Sequence, residues 1–455
     1  MSSTALADTI VAIATAIVPG QGSVGMIRLS GCQSLAILQQ VFRPAGRESW
    51  HSHHLRYGWM VNAQGEILDE GMAVWMQAPR SYTREDVVEL HCHGGVMAVQ
   101  AVLHTCVMAG ARLANPGEFT LRAYLHGRLD LTQAESIADL IQARSSQAAQ
   151  MALSGVQGRV YEGMRQLRHT GLDLLAEIEA RIDFEEDLPP LDRETWSTQL
   201  QDMTVQVQHW LDTAQRGSLL RQGLRVAIVG QPNVGKSSLL NLWSGQDRAI
   251  VTELPGTTRD VVESSLVVKG IPIQLLDTAG IRDTQDPVEA IGVERAKTLA
   301  QEADLVVLVV DASRGWTAAE DTLFQTVQHR PLILVINKID IAAATVITPA
   351  AVRVELSTRT GVGLNDLEDA VYRLAYRGQM PSTPIDVSVN ERQQALLSQV
   401  GVALAQVNEA MQQNLPFDFW TIGLRSAVQL LGEITGEEVT ESVLERVFSR
   451  FCIGK

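Results

Sequence analysis

Gly230–Ser238 reads GQPNVGKSS. An apolar run, Arg225–Val229, precedes it, and Leu239-Leu240-Asn241-Leu242 follows. A buried strand, a glycine loop and a helix, in that order, form the setting a phosphate loop requires. Gly230 and Gly235 let the backbone approach a phosphate, so loop amides and the helix N-terminus face the anion. The expected lining is Asn233, Val234, Gly235, Lys236, Ser237 and Ser238. Lys236 would neutralise the β- and γ-phosphates, and the Ser237 hydroxyl would hold Mg²⁺.

Three further elements follow in chain order. Asp277-Thr278-Ala279-Gly280 closes the run Ile273–Leu276; its Asp can hold Mg²⁺ through water, and Gly280 can donate an amide to a γ-phosphate. Asn337-Lys338-Ile339-Asp340 closes the run Leu332–Ile336. The Asp340 carboxylate can accept from guanine N1–H and the 2-amino group, a donor pair adenine lacks. Ser357-Thr358-Arg359 follows the strand Val352–Leu356 and can reach the guanine O6 through backbone amides. Each motif sits at a strand end, where open α/β sheets bind ligands. Together they imply a GTP-binding domain.

The chain has 455 residues, enough for several domains with ample core. No run approaches the roughly 18 apolar residues of a membrane span. The apolar stretch Ile10–Val18 follows Asp8 and lacks a basic leader, so it reads as a strand. Cys32, Cys92, Cys106 and Cys452 are scattered, with no CxxC pair, which suits a reducing cytoplasm. A net charge of −15 argues against a chain that grips nucleic acid over its whole surface. His91 and His93 flank Cys92, but with no fourth ligand nearby the group reads as structural rather than as a metal site.

Periodicity divides the chain into four stretches. Residues 1–120 read as a mixed α/β domain, with strands over Thr9–Ala16, Gly25–Ser30, Gly71–Met76 and Asp86–His91 and a short helix over Ser34–Val41. Residues 121–222 show helical spacing, over Ala134–Ala143, Ser146–Arg181 and Arg193–Arg221. Residues 223–378 alternate strand and helix patterns. Helices return in 379–455, over Glu391–Met411, Phe417–Ile434 and Thr440–Phe448. The fold class is therefore multidomain, α/β plus all-α: an N-terminal α/β domain, a helical domain, and a Ras-like P-loop GTPase domain inserted into the helical one.

Two features depart from a Ras-like switch. Ile281 follows Asp277–Gly280 where a water-orienting Gln stands in Ras-like proteins. Asp283, Asp286 and Glu289 are candidates to replace it. Asp286-Pro287-Val288-Glu289 also has the form of a helix N-cap with Pro at N1 and Glu at N3, the reading local sequence favours. Asn233 is the second departure. Its side-chain carbonyl and the backbone of Thr252-Glu253-Leu254-Pro255-Gly256-Thr257-Thr258 can form a cage for a monovalent cation beside the phosphates. The plainer reading is a switch loop with Thr258 on Mg²⁺.

Motifs outside these resemble the bacterial tRNA-modification GTPases of the MnmE (TrmE) family over nearly the full length. They are VGMIRLSG at Val24–Gly31, EDVVELHCHGG at Glu85–Gly95, NPGEFTLRAYLHGRLDLTQAESIADLI at Asn115–Ile141, GTTRD at Gly256–Asp260, DTAGIRD at Asp277–Asp283 and the C-terminal FCIGK at Phe451–Lys455. The resemblance implies a potassium-dependent GTPase that forms a homodimer through its GTPase domains. It places K⁺ on Asn233, Thr252, Leu254 and Thr257, and Mg²⁺ on Ser237 and Thr258. It puts Glu289 on the family's water-orienting glutamate, beside Lys236 as a catalytic group, which reverses the local preference for a cap. It gives the first domain a folate-binding fold, with Arg28, Glu89 and Lys455 on the 5-formyltetrahydrofolate (or methylene-tetrahydrofolate) contacts. Arg128 stands where a relative has Lys, keeping the charge but not the shape. Cys452 matches a C-terminal cysteine needed for modification. With an FAD-dependent partner, MnmG, such a protein adds an aminomethyl or carboxymethylaminomethyl group to C5 of the wobble uridine, position 34 of tRNA. The tRNA is expected to bind mainly through that partner.

A competing class is a ribosome-assembly GTPase acting as an RNA-binding switch. Those proteins carry a basic RNA-binding domain after the GTPase domain. In residues 381–455 the acids outnumber Arg392, Arg425, Arg446, Arg450 and Lys455, which disfavours that reading.

Overall fold

Apolar residues alternating with polar ones build a seven-stranded, mostly antiparallel sheet in the N-terminal part of the chain. The computed structural model describes residues 8–20, 22–47, 49–184, 187–245, 264–276, 291–343, 352–376 and 387–455. Chain contacts divide it into two units, one of Met1–Ala138, Gly155–Thr204 and Leu396–Lys455, the other of Asp139–Ser154 and Val205–Ala395.

In the first unit the strands are β1 (Ile10–Ile13), β2 (Val24–Ser30), β3 (Phe42–Pro44), β4 (Arg56–Val61), β5 (Ile67–Met76), β6 (Val87–His93) and β7 (Arg112–Leu113). They lie in the order β3-β4-β5-β6-β2-β1-β7. One sheet face buries Val11, Ile27, Leu29, Ala73, Val88 and Leu90 in a core shared with α1 (Ser34–Val41) and α2 (Val96–Met108). On the other face Ile10 and Ala12 pack with Phe119 of α3 (Glu118–Leu125). A buried side chain of that size contributes roughly 2–3 kcal/mol. Arg28 and Glu89 stand directly opposite each other on β2 and β6, and Ala12 pairs with Arg28, which places all three on this second face.

Helices follow: α4 (Leu131–Gln142), α5 (Ser146–Val156), α6 (Arg159–Asp183) and α7 (Arg193–Gln222). The single helix expected over Ser146–Arg181 is broken between α5 and α6. Gly158 takes φ 87°, a left-handed conformation that caps α6 and that a side chain would resist.

The second unit contains β8 (Leu224–Val229), α8 (Lys236–Ser244), β9 (Ser264–Val268), β10 (Ile271–Leu276), α9 (Ile291–Glu302), β11 (Leu305–Asp311), α10 (Ala318–Val327), β12 (Leu332–Asn337), β13 (Arg353–Leu356) and α11 (Leu364–Ala375). Its six-stranded sheet runs β13-β12-β11-β8-β10-β9, parallel except for the β9–β10 pair. β11 is buried along its whole length, as a parallel strand covered on both faces should be. Register places Asp311 opposite Asn337 and Asn337 opposite Leu356, so the carboxyl ends of β11, β12 and β13 meet beside the one from which Gly230 leaves β8.

The chain closes with α12 (Glu391–Gln412), α13 (Phe417–Thr435) and α14 (Glu441–Phe448). In the first unit α13 packs on α6, and Trp420 lies 5.0 Å from Trp196 and 5.1 Å from Phe417, centroid to centroid. Among the described residues no helix is long and apolar enough to cross a membrane.

Candidate functional site

The phosphate loop spans the turn from β8 to α8. Gly235 is the α8 N-cap with φ 103°, and a Cβ there would fall 2.2 Å from Asn337 Nδ2, so only glycine fits. Val234 is fully buried and anchors the loop from below, whereas Asn233 is exposed and left-handed at φ 63°. Lys236 Nζ donates to Gly230 O and Gln231 O, both at 2.8 Å, which centres the ammonium in the loop. Burial pushes its pKa down from the usual lysine value. A cation pressed this way is stabilised by an anion beside it, so the cradle fits a polyphosphate. Ser237 and Ser238 follow in the first turn of α8, Ser237 half-buried and Ser238 exposed.

The base-side motif meets this loop. Asn337 is fully buried at the end of β12; its Nδ2 donates to Val234 O at 2.8 Å, and its Oδ1 accepts from the Thr358 amide at 3.1 Å. Lys338 Nζ donates to Asn233 O at 2.8 Å and to Asp311 Oδ2 at 2.6 Å. Ile339 N donates to Leu356 O at 3.4 Å. Asp340 is exposed, with its Oδ1 held by Ser357 Oγ at 2.8 Å, and Arg359 is exposed one residue past Thr358. A fixed, exposed carboxylate at this point can accept two hydrogen bonds from a purine edge. Thr252, Glu253, Leu254, Pro255, Gly256, Thr257, Thr258, Asp277, Thr278, Ala279, Gly280 and Glu289 lie outside the described residues, as does Ile281.

The first unit gathers a second set. Arg28 Nε and Nη2 approach Glu89 Oε1 at 2.9 and 2.8 Å, and Arg28 Nη1 donates to Gly454 O at 3.3 Å. The Arg28 guanidinium lies 5.9 Å from the Tyr82 ring centroid and Arg128 lies 4.8 Å from the same ring. His91, followed by Arg28, holds the Glu89 carboxyl below the usual range, against the opposing effect of burial. Aromatic packing delivers the C-terminal residues here: Phe448 and Phe451 stack at 5.7 Å and share a core with Leu131 and Ala134. Cys452 is exposed, its carbonyl accepting from the Gly117 amide at 3.4 Å, and Lys455 N donates back to Cys452 O at 3.4 Å. Arg28 and Arg128 at one ring outnumber the single Glu89 carboxylate, so the donor set fits an anionic, flat ligand. His91 and His93 share one strand face and Cys92 the other, where its thiol donates to Gly25 O at 3.4 Å. His93 Nδ1 instead pairs with Asp69 at 2.7 Å.

The family model described as "GTP-binding protein TrmE N-terminus" matches residues 9–128, and that described as "MnmE helical domain" matches residues 131–452. The chain belongs to the MnmE (TrmE) family of tRNA modification GTPases. It is similar to the tRNA modification GTPase MnmE of Synechococcus sp. (strain JA-3-3Ab), 63% identical over 454 residues and 99% of each chain. It is similar also to that of Trichormus variabilis (strain ATCC 29413 / PCC 7937), 58% identical over 458 residues and 99% of each chain. Among solved structures, Era in complex with MgGDPNP and nucleotides of 16S ribosomal RNA is 30% identical over 40% of this chain and 66% of that one, with a TM-score of 0.26. As an MnmE-family member the chain is a GTP hydrolase, taking GTP with Mg²⁺.

Several site residues escaped the motif reading. Asp311 braces Lys338 and carried one signal, an acid closing a fully buried strand at the ligand end of the sheet. Tyr82 and Phe119 frame Arg28, and nothing local in the sequence marks them as partners of a residue on β2.

Proposed function

We propose that this chain is a potassium-dependent GTPase that works with an FAD-dependent MnmG partner to modify C5 of the wobble uridine, position 34, in tRNA. The product class is carboxymethylaminomethyl- or aminomethyl-uridine. The observation that carries the reading is the contact of Arg28 with Gly454 O, which brings the FCIGK ending to the Arg28–Glu89 pair in one unit. Arg28, Glu89, Arg128 and Lys455 would hold a tetrahydrofolate derivative, which supplies the one-carbon unit when bound. Glu89 offers acceptors to a pterin edge, and the cations favour a carboxylate tail. Cys452, exposed two residues before Gly454, would be the thiol of the modification step.

In the second unit Lys236 and the loop amides would bind the phosphates, with Ser237 and Thr258 on Mg²⁺. Asn233, Thr252, Leu254 and Thr257 would hold K⁺, and Glu289 would orient water. Asp340 would select guanine, with Ser357, Thr358 and Arg359 beside it. K⁺ near the transferring phosphoryl group would supply the charge an arginine finger supplies elsewhere. Two chains pair through this unit, tRNA contacts come mainly through the MnmG partner, and the setting is the cytoplasm.

The test is nucleoside analysis of tRNA from a deletion strain carrying this gene. Restored wobble-uridine modification supports the reading, and its absence with soluble protein present refutes it. GTP hydrolysis measured in K⁺ against Na⁺ separates the cation assignment: equal rates would remove it.

A further inference from the structure

Five consecutive carbonyls of the phosphate loop are each taken by a side-chain donor. Lys236 holds those of Gly230 and Gln231, Lys338 that of Asn233, and Asn337 that of Val234. The remaining one, Pro232 O, accepts from Arg314 Nη1 at 3.3 Å. Lys236, Asn337 and Lys338 belong to nucleotide motifs. Arg314 belongs to none; it lies in the turn between β11 and α10. We propose that Arg314 is a positioning residue of the phosphate loop, fixing the Pro232–Asn233 peptide plane and with it the Asn233 amide.

In a trans peptide the carbonyl of one residue and the N–H of the next point opposite ways. A donor that draws Pro232 O outward therefore turns the Asn233 N–H inward, toward the concave side where an anion sits. This plane matters more than its neighbours for two reasons. Pro232 has no N–H, so the plane before it contributes no amide and the plane after it must. Asn233 holds φ 63°, the left-handed conformation that asparagine adopts more readily than most residues and that helps successive N–H groups face one concavity. Arg314 is itself placed: Asp311 Oδ2 lies 3.9 Å from Arg314 Nε and 2.6 Å from Lys338 Nζ. One carboxylate, 2% exposed, thus aims both cations that grip the adjacent carbonyls of Pro232 and Asn233. The turn after β11 is in this way wired to both the phosphate loop and the base-side motif.

The experiment uses the full chain with Arg314→Ala and Arg314→Lys. Dissociation of a fluorescent GDP is followed by stopped flow, with kcat and KM for GTP and the thermal unfolding midpoint measured alongside. Because the guanidinium is half exposed, the expected effect of Arg314→Ala is moderate, about fivefold faster GDP release. KM should rise with it, the unfolding midpoint should hold, and Arg314→Lys should restore most of the slow release. Wild-type release from Arg314→Ala overturns the proposal. So does faster release that only accompanies a lowered unfolding midpoint and that Lys does not rescue, which would mark a structural role for the turn.

Discussion

Asn337 Nδ2 donates to the Val234 carbonyl at 2.8 Å, joining the end of β12 to the phosphate loop across 103 positions of sequence. The same side chain accepts from the Thr358 amide, so one buried carboxamide fixes three segments. Its replacement should be felt by base and phosphates together. Asn337→Ala leaves Val234 O and Thr358 N–H without that partner, a loss of about 2 kcal/mol. GDP and GTP affinities should each fall roughly thirtyfold, measured by calorimetry. A variant that binds GDP normally would show that the three segments hold their places independently.

Base choice should rest on Asp340. Its carboxylate offers acceptors only, matched to the guanine N1–H and 2-amino donors. Asp340→Asn replaces one acceptor with a donor, which suits a purine bearing a 2-carbonyl. Competition between GTP and XTP should therefore invert in favour of XTP. Retained GTP preference would place base recognition elsewhere.

The second set makes its own prediction. Glu89→Gln keeps the shape of the Arg28 contact and removes its charge. Binding of 5-formyltetrahydrofolate, followed by calorimetry, should weaken by about tenfold or more, with GTP hydrolysis unaltered. Unchanged folate affinity would detach Glu89 from ligand recognition.

A buried charge cluster sets an acid limit on the first unit. Arg122, 1% exposed, contacts Asp8 Oδ1 at 2.6 Å, Glu118 Oε1 at 3.1 Å and Glu85 Oε1 at 3.2 Å. Burial pushes the Glu118 carboxyl up, but hydrogen bonds from Arg112, the Asn115 amide and Arg122 more than offset it and hold it below its ordinary 4.5. A carboxyl lowered on folding contributes its stabilisation in full above 4.5 and loses it as pH falls through the folded value. Glu118→Gln should thus destabilise the unit by about 3 kcal/mol near neutral pH, and the gap to wild type should close on acidification. Parallel stability curves from pH 7 to pH 3 would contradict this.

Local chemistry explains which parts are legible in the sequence. The phosphate loop and the Asn337–Asp340 stretch declare themselves because strand, turn residue and side-chain donor are contiguous. The α1 helix over Ser34–Val41 falls where its spacing predicts. Strand β4 did not announce itself: Gly58 interrupts it and Tyr57 is exposed, so the alternation is blurred. The break at Gly158 was hidden because helical spacing continues on both sides of it. Arg314 meets the Pro232 carbonyl, and Asp311 the Lys338 ammonium, only where the folded sheet brings them near, and Tyr82 reaches Arg28 in the same way. Pairings of that kind leave no period in the chain.

The five engaged carbonyls of residues 230–234 also carry an entropic consequence. Their donors are intramolecular, so the loop's backbone freedom is surrendered when the sheet folds rather than when a nucleotide arrives. A nucleotide then meets a rigid receptor, and less of its interaction energy goes into ordering the chain. Release is correspondingly governed by the strength of phosphate contacts rather than by refolding of the loop.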